Sequence, residues 1–257
     1  MIRFTDIAAW RGYREGVGTA SVGFVPTMGA LHAGHQSLVD ASLAQNDRTV
    51  VSIFVNPTQF DQAQDLAAYP QQLERDLAVL ESSGVDAVLL PDYQELYPDD
   101  FRYRVTERDL STRFCGAHRP GHFDGVLTVV MRLLNIVCPD RAYFGEKDYQ
   151  QLELVRDMVE AFFMDVEVVA CPTVREADGL ALSSRNQRLK TVQRALAPTL
   201  YRALQNSANS SEATRALEQA GFDVEYVEDF GGRRLAAARL GEIRLIDNIA
   251  LENADVG

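Results

Sequence analysis

Cationic excess, paired cysteines and long apolar runs are all missing from this 257-residue chain. Its 25 Lys and Arg face 37 Asp and Glu, a formal charge of −12. Nucleic acid and anionic membrane surfaces both reward positive charge, so non-specific binding to either is excluded. An anionic substrate must therefore be met by local positive groups. The three cysteines, Cys115, Cys138 and Cys171, have no close paired spacing. That excludes a disulfide framework and points to a reducing, cytoplasmic compartment. No apolar run approaches the roughly 20 residues of a spanning helix. The segment from Met1 to Arg14 carries Arg3, Asp6, Arg11 and Arg14 where a signal peptide would have an apolar core. Against these absences stands an apolar fraction of 46%, enough for a sizeable core and too much for a disordered or collagen-like chain.

Short β-rich apolar runs alternate with segments of helical period, the signature of a parallel sheet flanked by helices. The runs are 21–25, 49–55, 87–90, 141–144 and 166–170; the helical segments are 36–43, 66–82, 126–137 and 149–162. In the last, Leu152, Val155, Met158, Val159 and Phe162 share one face, while Glu153, Arg156, Asp157 and Glu160 share the other. The pattern predicts an α/β fold, a doubly wound (Rossmann-like) parallel sheet, over residues 1–175. Two helices, 195–204 and 213–220, then precede two alternating strands, 224–227 and 243–246. Residues 176–257 thus read as a smaller α+β domain, with the charged turn Arg175-Glu176-Ala177-Asp178-Gly179 as the boundary.

Four polar segments lie where such a sheet binds ligands. Pro26-Thr27-Met28-Gly29-Ala30-Leu31-His32-Ala33-Gly34-His35 joins the first buried strand to a helix. Helix N-termini offer unpaired N–H groups and positive dipole ends to phosphates. Gly29 and Gly34 allow close backbone approach, and His32 and His35 each carry a ring donor. The alternative is a plain turn with two surface histidines. Val55-Asn56-Pro57-Thr58-Gln59-Phe60 ends another strand in neutral amides, which suit a hydroxyl or carboxylate better than a phosphate; Asn-Pro is also an ordinary turn former.

Lysine is the scarcest common cation here, with only Lys147 and Lys190 among the 25 basic residues. One of the two sits in Phe144-Gly145-Glu146-Lys147-Asp148-Tyr149-Gln150-Gln151, between a strand and a helix. A compact ammonium there suits charge on a transferring phosphate. Asp148 serves either a ribose hydroxyl or the following helix as its N-cap. The fourth segment, Ala181-Leu182-Ser183-Ser184-Arg185-Asn186, reads as a phosphate clamp or as a helix cap followed by a surface arginine. Cys115-x-x-His118-x-x-x-His122 imitates part of a zinc site but lacks a fourth ligand, so no protein-held metal is expected. A basic loop of Arg119 with His118 or His122, facing an anion, is the better reading.

Taken together and in this order, these segments resemble the pantoate–β-alanine ligase family of the H-x-G-H nucleotidyltransferase superfamily. The likeness runs through Val25 to His35, Val55 to Phe60, Arg119-Pro-Gly-His-Phe-Asp-Gly-Val126, Phe144 to Gln151, Asp178 to Asn186 and the strand Arg244-Leu-Ile-Asp-Asn248. It implies an ATP-dependent, AMP-forming condensation of pantoate with β-alanine by way of an acyl-adenylate. It implies ATP at Met28, Gly29, Ala30, Leu31, His32, Ala33, Gly34 and His35, at Gly145, Glu146, Lys147 and Asp148, near Val174, and at the KMSKS-like Leu182, Ser183, Ser184 and Arg185. Gln59 and Gln151, with Asn56, Met28 and Arg119, are implied for pantoate and β-alanine. His35, His32, Lys147 and Arg185 are implied as the catalytic set, with Mg²⁺ arriving on the phosphates and a homodimer as the assembly. The C-terminal module looks shorter than is usual for the family. Read from the residues alone, a nucleotidyltransferase acting on a phosphorylated substrate and a non-catalytic nucleotide-binding module remain alternatives, though Asn56 and Gln59 stand where the former needs cations.

Overall fold

A computed structural model describes residues 1–251. The chain divides into two compact units, Met1–Glu146 with Gln150–Cys171, and Lys147–Tyr149 with the chain from Pro172 onward.

The first unit opens with β1 (Ile2–Phe4), α1 (Ile7–Val17), β2 (Val22–Thr27), α2 (Ala33–Gln45) and β3 (Arg48–Ile53). It continues with α3 (Ala63–Ala67), α4 (Leu73–Ser82), β4 (Ala87–Leu89), α5 (Tyr93–Leu96), α6 (Cys115–His118), α7 (His122–Val137) and β5 (Arg141–Gly145). After β5 come α8 (Tyr149–Ala161) and β6 (Glu167–Cys171). The strands form one parallel sheet in the order β1-β4-β3-β2-β5-β6. From β2 the chain builds outward first through β3 and β4, then on the other side through β5 and β6, so the sheet is doubly wound with its switch point between β2 and β5. In such sheets ligands bind beyond the carboxyl ends of the strands at that point. Both candidate loops of the first unit leave such carboxyl ends, the loop after β2 at the switch point and the loop after β3 one strand away.

One sheet face is sealed by Val25, Val51, Val88 and Tyr143 against Leu38 and Val39 of α2 and Leu77 and Leu80 of α4. Trp10 of α1 is fully buried, and its indole Nε1–H donates to the Ile136 carbonyl of α7 at 2.8 Å. Burial of a large ring with its one donor satisfied fastens α1 to α7.

Three expectations about elements change. Periodicity predicts one helix over 66–82, but Pro70 has no N–H and disfavours helical geometry at Tyr69, so the segment splits into α3 and α4. The expected helix over 195–204 is likewise two, α9 (Thr191–Leu196) and α10 (Thr199–Asn206), divided at Pro198. The second unit then adds α11 (Ser210–Gln219) and three strands rather than two: β7 (Asp223–Phe230), β8 (Arg233–Leu240) and β9 (Ile243–Ala250), an antiparallel meander. Gly231 and Gly232, at φ +56° and +72°, make the first hairpin turn, the double positive φ of a type I′ connection. The core of this unit packs Leu200 and Leu204 of α10 and Leu217 of α11 against Ala236, Ala238 and Leu245 of the sheet.

Candidate active site

After β2 the chain turns through two successive positive-φ residues, Gly29 at +77° and Ala30 at +50°. Alanine is strained there, at a cost on the order of 1 kcal/mol or more. The conformation is held by Asp76 of α4, only 1% exposed. Its Oδ2 accepts from the Ala30 N–H at 2.8 Å and its Oδ1 from the Leu31 N–H at 2.9 Å. Thr27 Oγ1 accepts from the Gly29 N–H at 3.1 Å. The N–H groups of Ala30 and Leu31, expected to meet ATP, are thus engaged by protein.

His32 caps α2, its Nδ1 accepting from the Gly34 N–H at 3.1 Å, while His35 Nδ1 accepts from the His32 N–H at 3.4 Å. The rings lie 4.0 Å apart, tilted by 31°. With Nδ1 an acceptor in both, the neutral rings carry their proton on Nε2. The two tilted rings stand at the start of a thirteen-residue helix, where a phosphate oxygen is best received.

Past β3, Asn56 is 1% exposed, and its whole side chain is engaged. Its Oδ1 accepts from Tyr97 Oη at 2.9 Å and from Thr58 Oγ1 at 2.9 Å. Its Nδ2 donates to Gln59 Oε1 at 3.0 Å and to the Gly125 carbonyl at 3.2 Å. Asn56, expected to touch substrate, instead orients Gln59. That bond fixes which end of the Gln59 amide is oxygen, and the Nε2 end turns to Met28 Sδ at 3.2 Å. Met28, Asn56 and Gln59, expected together, are together.

The Gln59 main chain is held as firmly. Its carbonyl accepts from Arg119 Nη2 at 3.2 Å and bonds His122 Nδ1 at 2.7 Å. Arg119 Nε also donates to Asp61 Oδ1 at 2.9 Å. Burial raises the Asp61 carboxyl, but the hydrogen bond and charge of Arg119 outweigh it and leave the group below the usual carboxylate range. The expected basic loop is therefore a neutralised brace behind Gln59 rather than an open cationic patch. Glycine at 125 permits this packing, since a Cβ there would fall 2.3 Å from the Thr58 carbonyl oxygen. Both ring nitrogens of His122 are likewise engaged, and Cys115 is buried. The Cys115 N–H donates to Gln150 Oε1 at 3.0 Å, and among the described residues no group of three His, Cys, Asp or Glu could hold a metal. Gln151 is half-buried in the first turn of α8, beside the fully engaged Gln150.

In the second unit, Lys147 Nζ lies 3.6 Å from Asp148 Oδ1. The Leu182 N–H donates to the Val174 carbonyl at 3.0 Å, bringing these two expected ATP contacts together beside the Arg175–Ala181 bridge. Ser183 caps the one-turn segment Ser184–Arg188 by accepting from the Arg185 N–H at 3.3 Å. Ser184 is buried and Arg185 half-buried. Gly145 and Glu146 end β5 immediately before Lys147.

Sequence reasoning missed Asp76, Tyr97, Asp61 and Asn248, all of which hold proposed site residues rather than face a ligand. Asp76 did leave a trace. It shares the apolar stripe of Leu77 and Leu80, where an unpaired carboxylate is prohibitively costly, so a partner is implied.

The family model for pantoate-beta-alanine ligase matches residues 3–250. A pantothenate synthetase of Bdellovibrio bacteriovorus is 55% identical over 96% of this chain and 97% of its own, and one of Legionella pneumophila is 50% identical over 96% and 99%. Among solved structures, a pantoate-beta-alanine ligase from Francisella tularensis, complexed with Beta-gamma ATP and beta-alanine, superposes with a TM-score of 0.93 at 39% identity, covering 97% of each chain. Pantothenate synthetase from Thermus thermophilus superposes with a TM-score of 0.88 at 45% identity, over 97% of this chain and 99% of that one. These relatives are matched almost end to end.

Proposed function

The chain belongs to the pantoate–β-alanine ligase family, and from that premise we propose that it condenses pantoate with β-alanine at the expense of ATP, through a pantoyl-adenylate. The pantoate carboxylate attacks the α-phosphorus of MgATP and pyrophosphate leaves. The β-alanine amine then attacks the adenylate carbonyl, AMP leaves as the anion, and the amine proton passes to solvent. Activation as a mixed anhydride solves the leaving-group problem that a bare carboxylate poses. Mg²⁺ enters with the nucleotide as part of the substrate.

The observation that carries this reading is the pairing of two kinds of site in one unit. His32 and His35 stand side by side at a helix N-terminus, their tilted rings 4.0 Å apart, while the neighbouring strand end presents a neutral, pre-oriented Gln59 amide. The histidines suit phosphate; the amide suits the hydroxyl and carboxylate of pantoate, with Gln151 as its second amide and Met28 as an apolar wall. Lys147, Arg185, His32 and His35 stabilise charge developing on the phosphates, and His35 assists adenylate formation. The residues from Met28 to His35, from Gly145 to Asp148, and Val174 with Leu182 to Arg185 complete the ATP contacts. Holding carboxylate and α-phosphate in line supplies several kcal/mol of the barrier reduction. The protein acts in the cytoplasm as a homodimer, a placement supported by its free thiols. No helix among the described residues is long and apolar enough to cross a membrane.

The test is AMP release by the purified protein with ATP and Mg²⁺. Release that requires both pantoate and β-alanine is expected. Release with a phosphorylated alcohol in place of pantoate, and none with pantoate, overturns the reading.

A further inference from the structure

The strand Arg244-Leu-Ile-Asp-Asn248 contributes no residue to the proposed chemistry, yet two consecutive polar side chains on it are nearly sealed, Asp247 at 4% and Asn248 at 3% exposure. Burying a carboxylate beside an amide on a strand of a small sheet is costly unless every bond is made. Here the bonds converge on one backbone segment. Arg175 grips Asp247 at both oxygens, Nη1 to Oδ2 at 2.7 Å and Nη2 to Oδ1 at 2.9 Å, and its guanidinium lies 3.8 Å from the Tyr201 ring centroid. The same guanidinium donates to the Asn248 carbonyl at 3.1 Å, and Asp247 Oδ1 accepts from the Asn248 N–H at 2.7 Å. The Asn248 side chain is oriented without ambiguity. Arg233 Nε donates to its Oδ1 at 2.6 Å, so Nδ2 must face the other way, where it donates to the Lys147 carbonyl at 3.0 Å.

We propose that Asn248 is a positioning residue for Lys147, with the Arg175–Asp247 pair holding Asn248 and Asn248 fixing the main chain from which the ammonium projects. This rests on Lys147 meeting phosphate charge as proposed above. A buried ion pair is weak evidence for stability, because apolar residues of the same volume often do as well. What such a pair supplies is fixed geometry, and electrostatic catalysis depends on placement to a fraction of an ångström. Lys147 stands in the single 3₁₀ turn Glu146–Asp148 between β5 and α8, and the bond from Asn248 on β9 adds a tertiary anchor to that short element.

The experiment is a double-mutant cycle on the full-length protein, read as pantoate-dependent exchange of labelled pyrophosphate into ATP at saturating substrates. Lys147→Ala, Asn248→Ala and Asn248→Asp are compared singly, and each Asn248 variant is combined with Lys147→Ala. Asn248→Asp keeps the size and the acceptor for Arg233 but cannot donate to the Lys147 carbonyl, which keeps the test valid should the alanine variant fold poorly. Each Asn248 variant is expected to lose roughly tenfold or more in exchange rate, the scale of an ångström-level misplacement. In the Lys147→Ala background either change should add less than about twofold, because residues acting as a unit are not additive. A merely structural Asn248 would instead multiply its loss onto that of Lys147→Ala, and that result overturns the proposal. So does wild-type exchange in Asn248→Asp. Undiminished exchange in Lys147→Ala is a different failure: it removes Lys147 from the phosphates, and with it the purpose of the anchor.

Discussion

Asp76 Oδ1 accepts the Leu31 N–H at 2.9 Å across 45 residues of sequence, and it is this bond, with its twin to Ala30, that sets the loop after β2. A carboxylate on a helix behind the sheet therefore determines where Met28 and the two histidines stand. In Asp76→Asn the amide offers one acceptor oxygen to two buried N–H groups and points an NH₂ at the other. One donor is left unsatisfied, costing about 1–3 kcal/mol. A fall of that size in unfolding free energy by denaturant titration is expected, with a larger proportional loss of kcat/KM for ATP than for pantoate. Unchanged stability would mean that the loop holds its positive-φ turn unaided.

The Asn56–Gln59 bond makes a separable claim. If Asn56 acts only by orienting the Gln59 amide, Gln59→Ala and Asn56→Ala should both raise the KM for pantoate by about tenfold, the equivalent of roughly 1.4 kcal/mol, while leaving that for ATP within twofold. The double variant should be scarcely worse than Gln59→Ala. Losses that multiply would give Asn56 a substrate contact of its own.

Acid should loosen the brace behind Gln59. Because Arg119 holds the Asp61 carboxyl below its ordinary value, the pair stabilises the folded protein above the unfolded-state pKa of about 3.9. That contribution is lost as pH falls through the lower folded value. Asp61→Asn has no such group to protonate. The stability gap between wild type and Asp61→Asn, measured by thermal unfolding, should stay constant from neutral pH to about pH 5 and close below about pH 4. A gap that persists at low pH would show that the Asp61 charge is not what matters.

How much of this was legible in the sequence depends on the kind of signal. The sheet was legible because buried parallel strands leave runs such as Val22–Thr27 and Arg48–Ile53 between helices, and the ligand segments because they end those runs. β8 was missed for a physical reason: Arg233–Leu240 is built of arginine, alanine and leucine, all good helix formers, and pairing on both sides overrides that preference. The glycines at 231, 232 and 241, spaced to turn two hairpins, were the better guide. The side chains that hold Asn56, the loop after β2 and Lys147 left little or no signal because each acts across many residues of chain. Asp76, Tyr97 and Asn248 belong to elements whose local pattern states only that they are buried.

The most direct measurement is exchange of labelled pyrophosphate into ATP with Mg²⁺ and pantoate present and β-alanine withheld. Exchange that depends on pantoate, and that gives way to net AMP release once β-alanine is added, is expected of a ligase working through an acyl-adenylate. With ATP binding verified separately, absence of exchange under these conditions would contradict the two-step chemistry proposed for this site.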